Sequence, residues 1–149
     1  MASAEKTYVD ASALRCLYLH DERSPRFCRW RQRLRGKLPL TRFGRVEIVN
    51  SLWLAVNRKL IDAATAQLAI GDLEADIVEG RVDLVDALWR RTLDTAAELS
   101  QAHTVKLGTR SLDVLHVATA LVLGAAHFVS YDARQLALAS AVGFKVLSP

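Results

Sequence analysis

The stretch SLDVLHVATALVLGAAHFVSYD, residues 111–132, restricts the fold more than any other part of the chain. Its first part is apolar almost all round, so a helix here is buried on most of its surface, and Gly124 is placed to end it. HFVSYD follows at once with the residues of a strand. The same alternation recurs along the sequence. TYVD, residues 7–10, reads as a strand; Ser12 is placed to cap a short helix through Ala13, Leu14 and Leu17; Ser24-Pro25 opens a second helix that runs to Leu34 before Gly36. KLPLT, residues 37–41, reads as a strand despite its proline. Val49, Leu52, Trp53, Val56 and Leu60 form one stripe of a helix over residues 45–60, and Asp62 caps the next, which lasts to Gly80. RVDLVD, residues 81–86, alternates as a strand should. Residues 88–103 return to helical spacing before Gly108, residues 134–141 are amphipathic, and FKVL, residues 144–147, closes the series as a strand.

Repeated strand and helix predict an α/β fold of three layers, α/β/α, around a mostly parallel central sheet of about five strands. Parallel neighbours need right-handed crossovers, and these lay helices on both sheet faces. With 149 residues and 51% apolar content the chain is sized for one domain, residues 1–149, with a core that needs no staples. Cys16 and Cys28 form no CxxC pair and have no zinc-like partners, which points away from a disulfide framework and towards a reducing cytoplasm. The N-terminal residues lack the order of a signal peptide, and the most apolar stretch is shorter than the roughly 20 residues of a membrane span.

The net charge of +4 favours anionic partners. It is concentrated in RSPRFCRWRQRLRGK, residues 23–37, where no acid intervenes and Phe27 and Trp30 supply aromatic surface. Two readings stand: a solvated helix face with packed aromatics, or a surface that tracks phosphates through Arg26, Arg29 and Arg33 with Trp30 as a stacking ring.

Ligands of open α/β sheets bind beyond the carboxyl ends of the strands, near the point where strand order reverses. Asp10 and Asp132 each end a strand, and if those strands are neighbours their tips lie about 5 Å apart. Asp113 opens the buried helix and Glu47 stands in the first turns of another, so four carboxylates can converge on one rim. Each like-charge pair at 4 Å costs about 4 kcal/mol at an effective dielectric near 20, so something positive must offset the cluster. An all-oxygen site suits Mg²⁺ or Mn²⁺. Singly, each acid also has an ordinary explanation: a turn or N-cap for Asp10 and Asp132, the helix dipole for Asp113, an exposed first turn for Glu47. His116, one helical turn after Asp113 in an apolar helix, reads as a hydrogen-bonded core group rather than a general base.

YVDAS, VEIVNSL, LDVLHVATAL and FVSYDARQLALASAVGFKVLSP, in this order and spacing, resemble a PIN domain, and among PIN domains the VapC-like toxins of type II toxin–antitoxin pairs. The resemblance implies a metal-dependent endoribonuclease that leaves a 5′-phosphate and a 3′-hydroxyl. Asp10, Glu47, Asp113 and Asp132 would be its catalytic and Mg²⁺- or Mn²⁺-binding acids. Ser130 matches the Thr/Ser-x-Asp position and would support the ligand or its water, Ser12 would cap the helix or touch the metal water, and Arg134 would contact the scissile phosphate. A homodimer and a cognate antitoxin protein are implied as well. DAS stands where Asp-Thr-Ser or Asp-Ser-Ser is more usual, and neither this nor Ser130 removes a ligand. The alternatives are a catalytically inactive RNA-binding or partner-binding module of the same fold, and a phosphoacceptor domain with Asp132 and Arg134 at the sheet edge.

Overall fold

The computed structural model describes residues 3–149. Five strands, β1 (Thr7–Val9), β2 (Leu38–Thr41), β3 (Val82–Val85), β4 (His127–Val129) and β5 (Lys145–Leu147), alternate with seven helices. These are α1 (Ala11–Leu14), α2 (Ser24–Gln32), α3 (Arg42–Asn57), α4 (Ala63–Val78), α5 (Trp89–Leu107), α6 (Ser111–Val122) and α7 (Ala133–Ala141). Every pairing is parallel, as alternating strands and helices require. Hydrogen bonding divides the strands into two groups, β1-β4-β5 and β2-β3, with β1 and β2 packed side by side.

Period-two alternation decides which helices cover which face. Val9 and Val129 point into a core shared with Leu14, Phe27, Ile48, Leu52 and Leu73, from α1 to α4. Tyr8 and Phe128, their immediate neighbours in sequence, point the other way and meet Val114, Val117, Leu138 and Phe144. Burying a side chain of this kind contributes about 1.5–3 kcal/mol, so a one-residue slip of β1 against β4 would exchange both cores and is strongly disfavoured. Helix α6 is buried over most of its surface, as its apolar circumference predicts.

Several element ends differ from expectation. Asp10, and not Ser12, caps α1: its Oδ1 accepts the N–H of Ala13 at 3.0 Å. Helix α3 begins three residues earlier than the apolar stripe suggests because Thr41 both ends β2 and caps the helix, accepting the N–H of Gly44 at 3.1 Å. The strand end thus runs directly into the helix. Gly44 permits this approach, since a Cβ there would stand 3.0 Å from Leu40 Cδ1 and 3.2 Å from Thr41 Oγ1. Helix α2 stops at Gln32, short of Leu34, and α5 continues to Leu107, where Gly108 adopts the left-handed conformation of a C-cap. Among the described residues no helix is long and apolar enough to cross a membrane.

Candidate active site

Strand order within the larger group places β4 directly beside β1, with Val9 opposite Val129. The chain leaves both strands at the same edge. Asp10 follows β1 and donates its backbone N–H to Val129 at 3.0 Å; Asp132 follows β4 and caps α7 by accepting the N–H groups of Arg134 and Gln135 at 2.8 and 3.3 Å. Asp113 stands in the first turn of α6 and Glu47 in the second turn of α3. Asp10, Glu47 and Asp113 line a single cavity of about 410 Å³, together with Ser12, Arg110, His116 and Gln135. Asp132 stands outside that lining and is joined to it through Arg110.

Arg110 ties two of the acids together. Its Nε and Nη2 donate to Asp113 at 3.1 and 3.2 Å, its backbone N–H donates to Asp113 Oδ2 at 2.9 Å, and Nη2 also reaches Asp132 Oδ2 at 2.9 Å. Gln135 adds an amide hydrogen bond to Asp113 Oδ1 at 3.3 Å. Asp113 is buried, and burial alone would raise its pKa. The hydrogen bonds from Arg110 and Gln135, with the guanidinium charge, outweigh burial and hold the carboxyl below its ordinary value.

Asp10 has no such cation. It is 1% exposed and accepts from the Ser12 hydroxyl at 2.6 Å and from Ala13. Burial pushes its carboxyl above the ordinary value, only partly countered by His116 and these hydrogen bonds, while the Glu47 charge adds to the rise. Glu47 approaches His116, with Oε2 2.8 Å from Nε2. The approach does not form an aligned hydrogen bond, so Oε2 is buried with its bonding capacity unfilled. His116 is in turn fixed by Tyr8, whose hydroxyl lies 2.7 Å from Nδ1.

These features test whether a divalent cation suits the residues present. Donor chemistry fits: an all-carboxylate set, one buried acid without a cation and one buried oxygen without a partner are what a hard ion would satisfy. Among the described residues, however, no three His, Cys, Asp or Glu side chains stand close enough together to coordinate one ion as they are, and Arg110 engages Asp113 and Asp132.

The supporting residues fall differently from expectation. Ser130 is buried; its hydroxyl accepts the backbone N–H of Asp132 at 2.9 Å and pairs with Gln135 Oε1 at 3.4 Å, so it shapes the network behind the acids. Arg134 is exposed and is absent from the cavity lining. Arg110 and Gln135 were not singled out from the sequence. Arg110 was legible in principle, standing three residues before Asp113 at a helix start, whereas only the packing of α7 on α6 brings Gln135 to Asp113. Arg26 and Arg29 of α2 and Arg33 at its C-cap are exposed, but Trp30 is half-buried against Phe27 at 5.1 Å. The aromatic ring that meets a cation here is Tyr131, with Arg23 4.8 Å from its centroid, one residue before Asp132.

Residues 7–141 match the PIN domain family, and the chain belongs to it. PIN domains are generally nucleases that use divalent metals. A search of curated proteins returned no match to the chain.

Proposed function

We propose that this protein is a metal-dependent endoribonuclease and acts as the toxin of a toxin–antitoxin pair in the cytoplasm. The observation that carries the enzymatic reading is the meeting of Asp10, Glu47 and Asp113 on one cavity, from three elements far apart in sequence. Mg²⁺ or Mn²⁺, when bound, would lower the pKa of a water and neutralise charge on the phosphodiester. Asp10, Glu47 and Asp113 would hold the ion once Arg110 releases Asp113 and the three side chains draw together, with Asp132 behind them.

The chain's own groups supply the rest. Ser12 orients Asp10 through its 2.6 Å hydrogen bond, and Gln135 and Ser130 hold Asp113 and the Asp132 turn in place. Arg110, with its side chain 63% exposed, is the cation best placed to leave its carboxylates and meet a phosphate oxygen. Helix α2 and its C-cap present Arg26, Arg29 and Arg33 to an RNA backbone, and Tyr131 connects that helix to the site through Arg23 and Phe27. The toxin role, a homodimer and an antitoxin partner rest on the VapC-like order of motifs in the sequence.

One observation favours a second reading. With Arg110 engaging Asp113 and Asp132, the acids are already partly neutralised, which suits an RNA-binding or partner-binding module that has no turnover. Incubating purified protein with structured RNA and Mn²⁺ separates the two. Cleavage that disappears in Asp10→Asn supports the nuclease; RNA binding without cleavage supports the module. Growth arrest on expression, relieved by an upstream neighbouring reading frame, tests the toxin role.

A further inference from the structure

Glu47 differs from the other acids in its attachment to the fold. Asp10, Asp113 and Asp132 are each fixed by backbone N–H groups at the start of a helix. Glu47 stands in the second turn of α3, past the helix start, and its Oε2 has no backbone donor. The polar group that Oε2 approaches is His116 Nε2, at 2.8 Å. A glutamate with three rotatable side-chain bonds and no such contact would sample several rotamers, most of them directed away from Asp10.

We infer that His116 and Tyr8 are positioning residues for Glu47, forming a chain from strand β1 through helix α6 to helix α3 that holds this carboxylate at the cavity. The inference rests on the nuclease reading above and deepens it. Both links are short, 2.7 Å from the Tyr8 hydroxyl to Nδ1 and 2.8 Å from Nε2 to Glu47 Oε2. Both residues are buried, Tyr8 at 3% and His116 at 2% exposed. The imidazole cannot tilt freely, because the Phe43 ring packs on it at 5.1 Å and the Tyr8 ring at 5.8 Å.

The chemistry of the chain sets its polarity. The Tyr8 hydroxyl, 2.7 Å from Nδ1, is placed to donate to it. The imidazole then carries its proton on Nε2, facing the carboxylate. An imidazolium would also face Glu47 with an N–H. Only the neutral Nδ1–H tautomer would set a lone pair against the carboxylate, and that arrangement is repulsive. The contact with Glu47 is short but not aligned, so His116 restrains the side chain while leaving Oε2 with capacity for a further partner. Supports of this kind, one step behind a metal-binding carboxylate, fix its orientation and its affinity.

The test uses the full chain and two measurements besides turnover. Long-range ¹H–¹⁵N correlation of the histidine rings, with His116 assigned by its loss in His116→Gln, is expected to show Nε2–H or imidazolium; a neutral Nδ1–H ring overturns the inference. Titration calorimetry with Mn²⁺ alone is expected to show Tyr8→Phe and His116→Leu weakening the affinity by about 10–100-fold, with His116→Gln recovering part of the loss. Tyr8→Phe keeps the ring stacked on Phe128, so the fold survives the change. Adding His116→Leu to Glu47→Gln is expected to cost no further affinity, since the histidine acts through Glu47. Equal losses in both backgrounds would mean a merely structural role and overturn the inference. A wild-type protein that neither binds Mn²⁺ nor cuts RNA removes the nuclease reading and this role with it. Normal wild-type binding with unchanged Tyr8→Phe and His116→Leu variants removes the positioning role alone.

Discussion

Asp113 and Asp132 share one guanidinium, whereas Asp10 and Glu47, on the other side of the same cavity, form no ion pair with any lysine or arginine among the described residues. Asp10 on one side and Asp113 on the other both stand at helix starts, yet the electrostatics of the two sides are opposite. Arg110 holds Asp113 below its ordinary carboxyl value; burial holds Asp10 above. A fold keeps a buried acid without a counter-ion only at a cost in stability, so the uncompensated side is the one that a cation would stabilise, and the compensated side already holds the exposed guanidinium of Arg110.

The sharpest way to break this comparison is Asp10→Asn. Loss of cleavage is expected to exceed the roughly 10–100-fold of an outer-shell change, while the melting temperature in chelator stays equal or rises, since a buried charge is removed. In the wild type, Mn²⁺ at a hundredfold excess over its Kd would add about 2.7 kcal/mol to stability. Differential scanning with and without the ion should show that rise disappear in Asp10→Asn. A variant that still cuts at the wild-type rate would place the chemistry elsewhere.

Arg110→Gln addresses the other side. It leaves Asp113 buried beside Asp132 without a cation, so the metal-free protein is expected to melt lower, and Mn²⁺ to raise the melting temperature by more than it does in the wild type. Turnover is expected to fall if the guanidinium meets the phosphate. An unchanged Mn²⁺ effect would show that Arg110 and the ion do not compete.

The two acids also titrate with opposite consequences. A folded carboxyl raised above the ordinary 3.8 binds its proton more tightly than the unfolded chain, so Asp10 subtracts stability as pH rises from 3.8 through its folded value. Asp113, depressed, contributes stability that is present above 3.8 and lost as pH falls through its folded value. Melting curves in chelator from pH 3 to 7 should therefore show Asp10→Asn lessening the loss towards neutral pH and Asp113→Asn lessening the loss towards acid. Identical pH profiles for the two variants would remove the distinction.

Smallest in effect are the helix arginines. Replacing Arg26, Arg29 or Arg33 singly by Ala should weaken RNA binding and raise KM with little change in kcat. The salt dependence of binding should become shallower by about 0.7 for each phosphate that the variant no longer neutralises on a single strand. An unaltered salt slope in all three would return α2 to a solvated face.

Much of the fold was legible because it depends on local pattern. The apolar circumference of α6, the stripe of α3 and the alternation of strands and helices were sufficient for a parallel α/β arrangement, and Asp62 could be read as a cap from its position alone. Boundaries were less legible where one residue serves two elements. Thr41 ends a strand and caps a helix, and Asp10 takes the capping role that Ser12 was expected to fill. Trp30 shows the same limit on a surface: its spacing places it among arginines, but packing against Phe27 draws it inward.

The sequence by itself determined the order of strands and helices, the carboxylates at their ends and the family to which the chain belongs, because these depend on residue type and near-neighbour spacing. Tertiary structure decided which side chains meet. Arg110 reaches Asp132 across 22 positions, Tyr8 reaches His116 across 108, and Glu47 meets His116 from a helix on the opposite face of the sheet. Contacts at such separations follow from strand order and helix packing, which no local pattern encodes, and they set the charge balance on which the proposed chemistry depends.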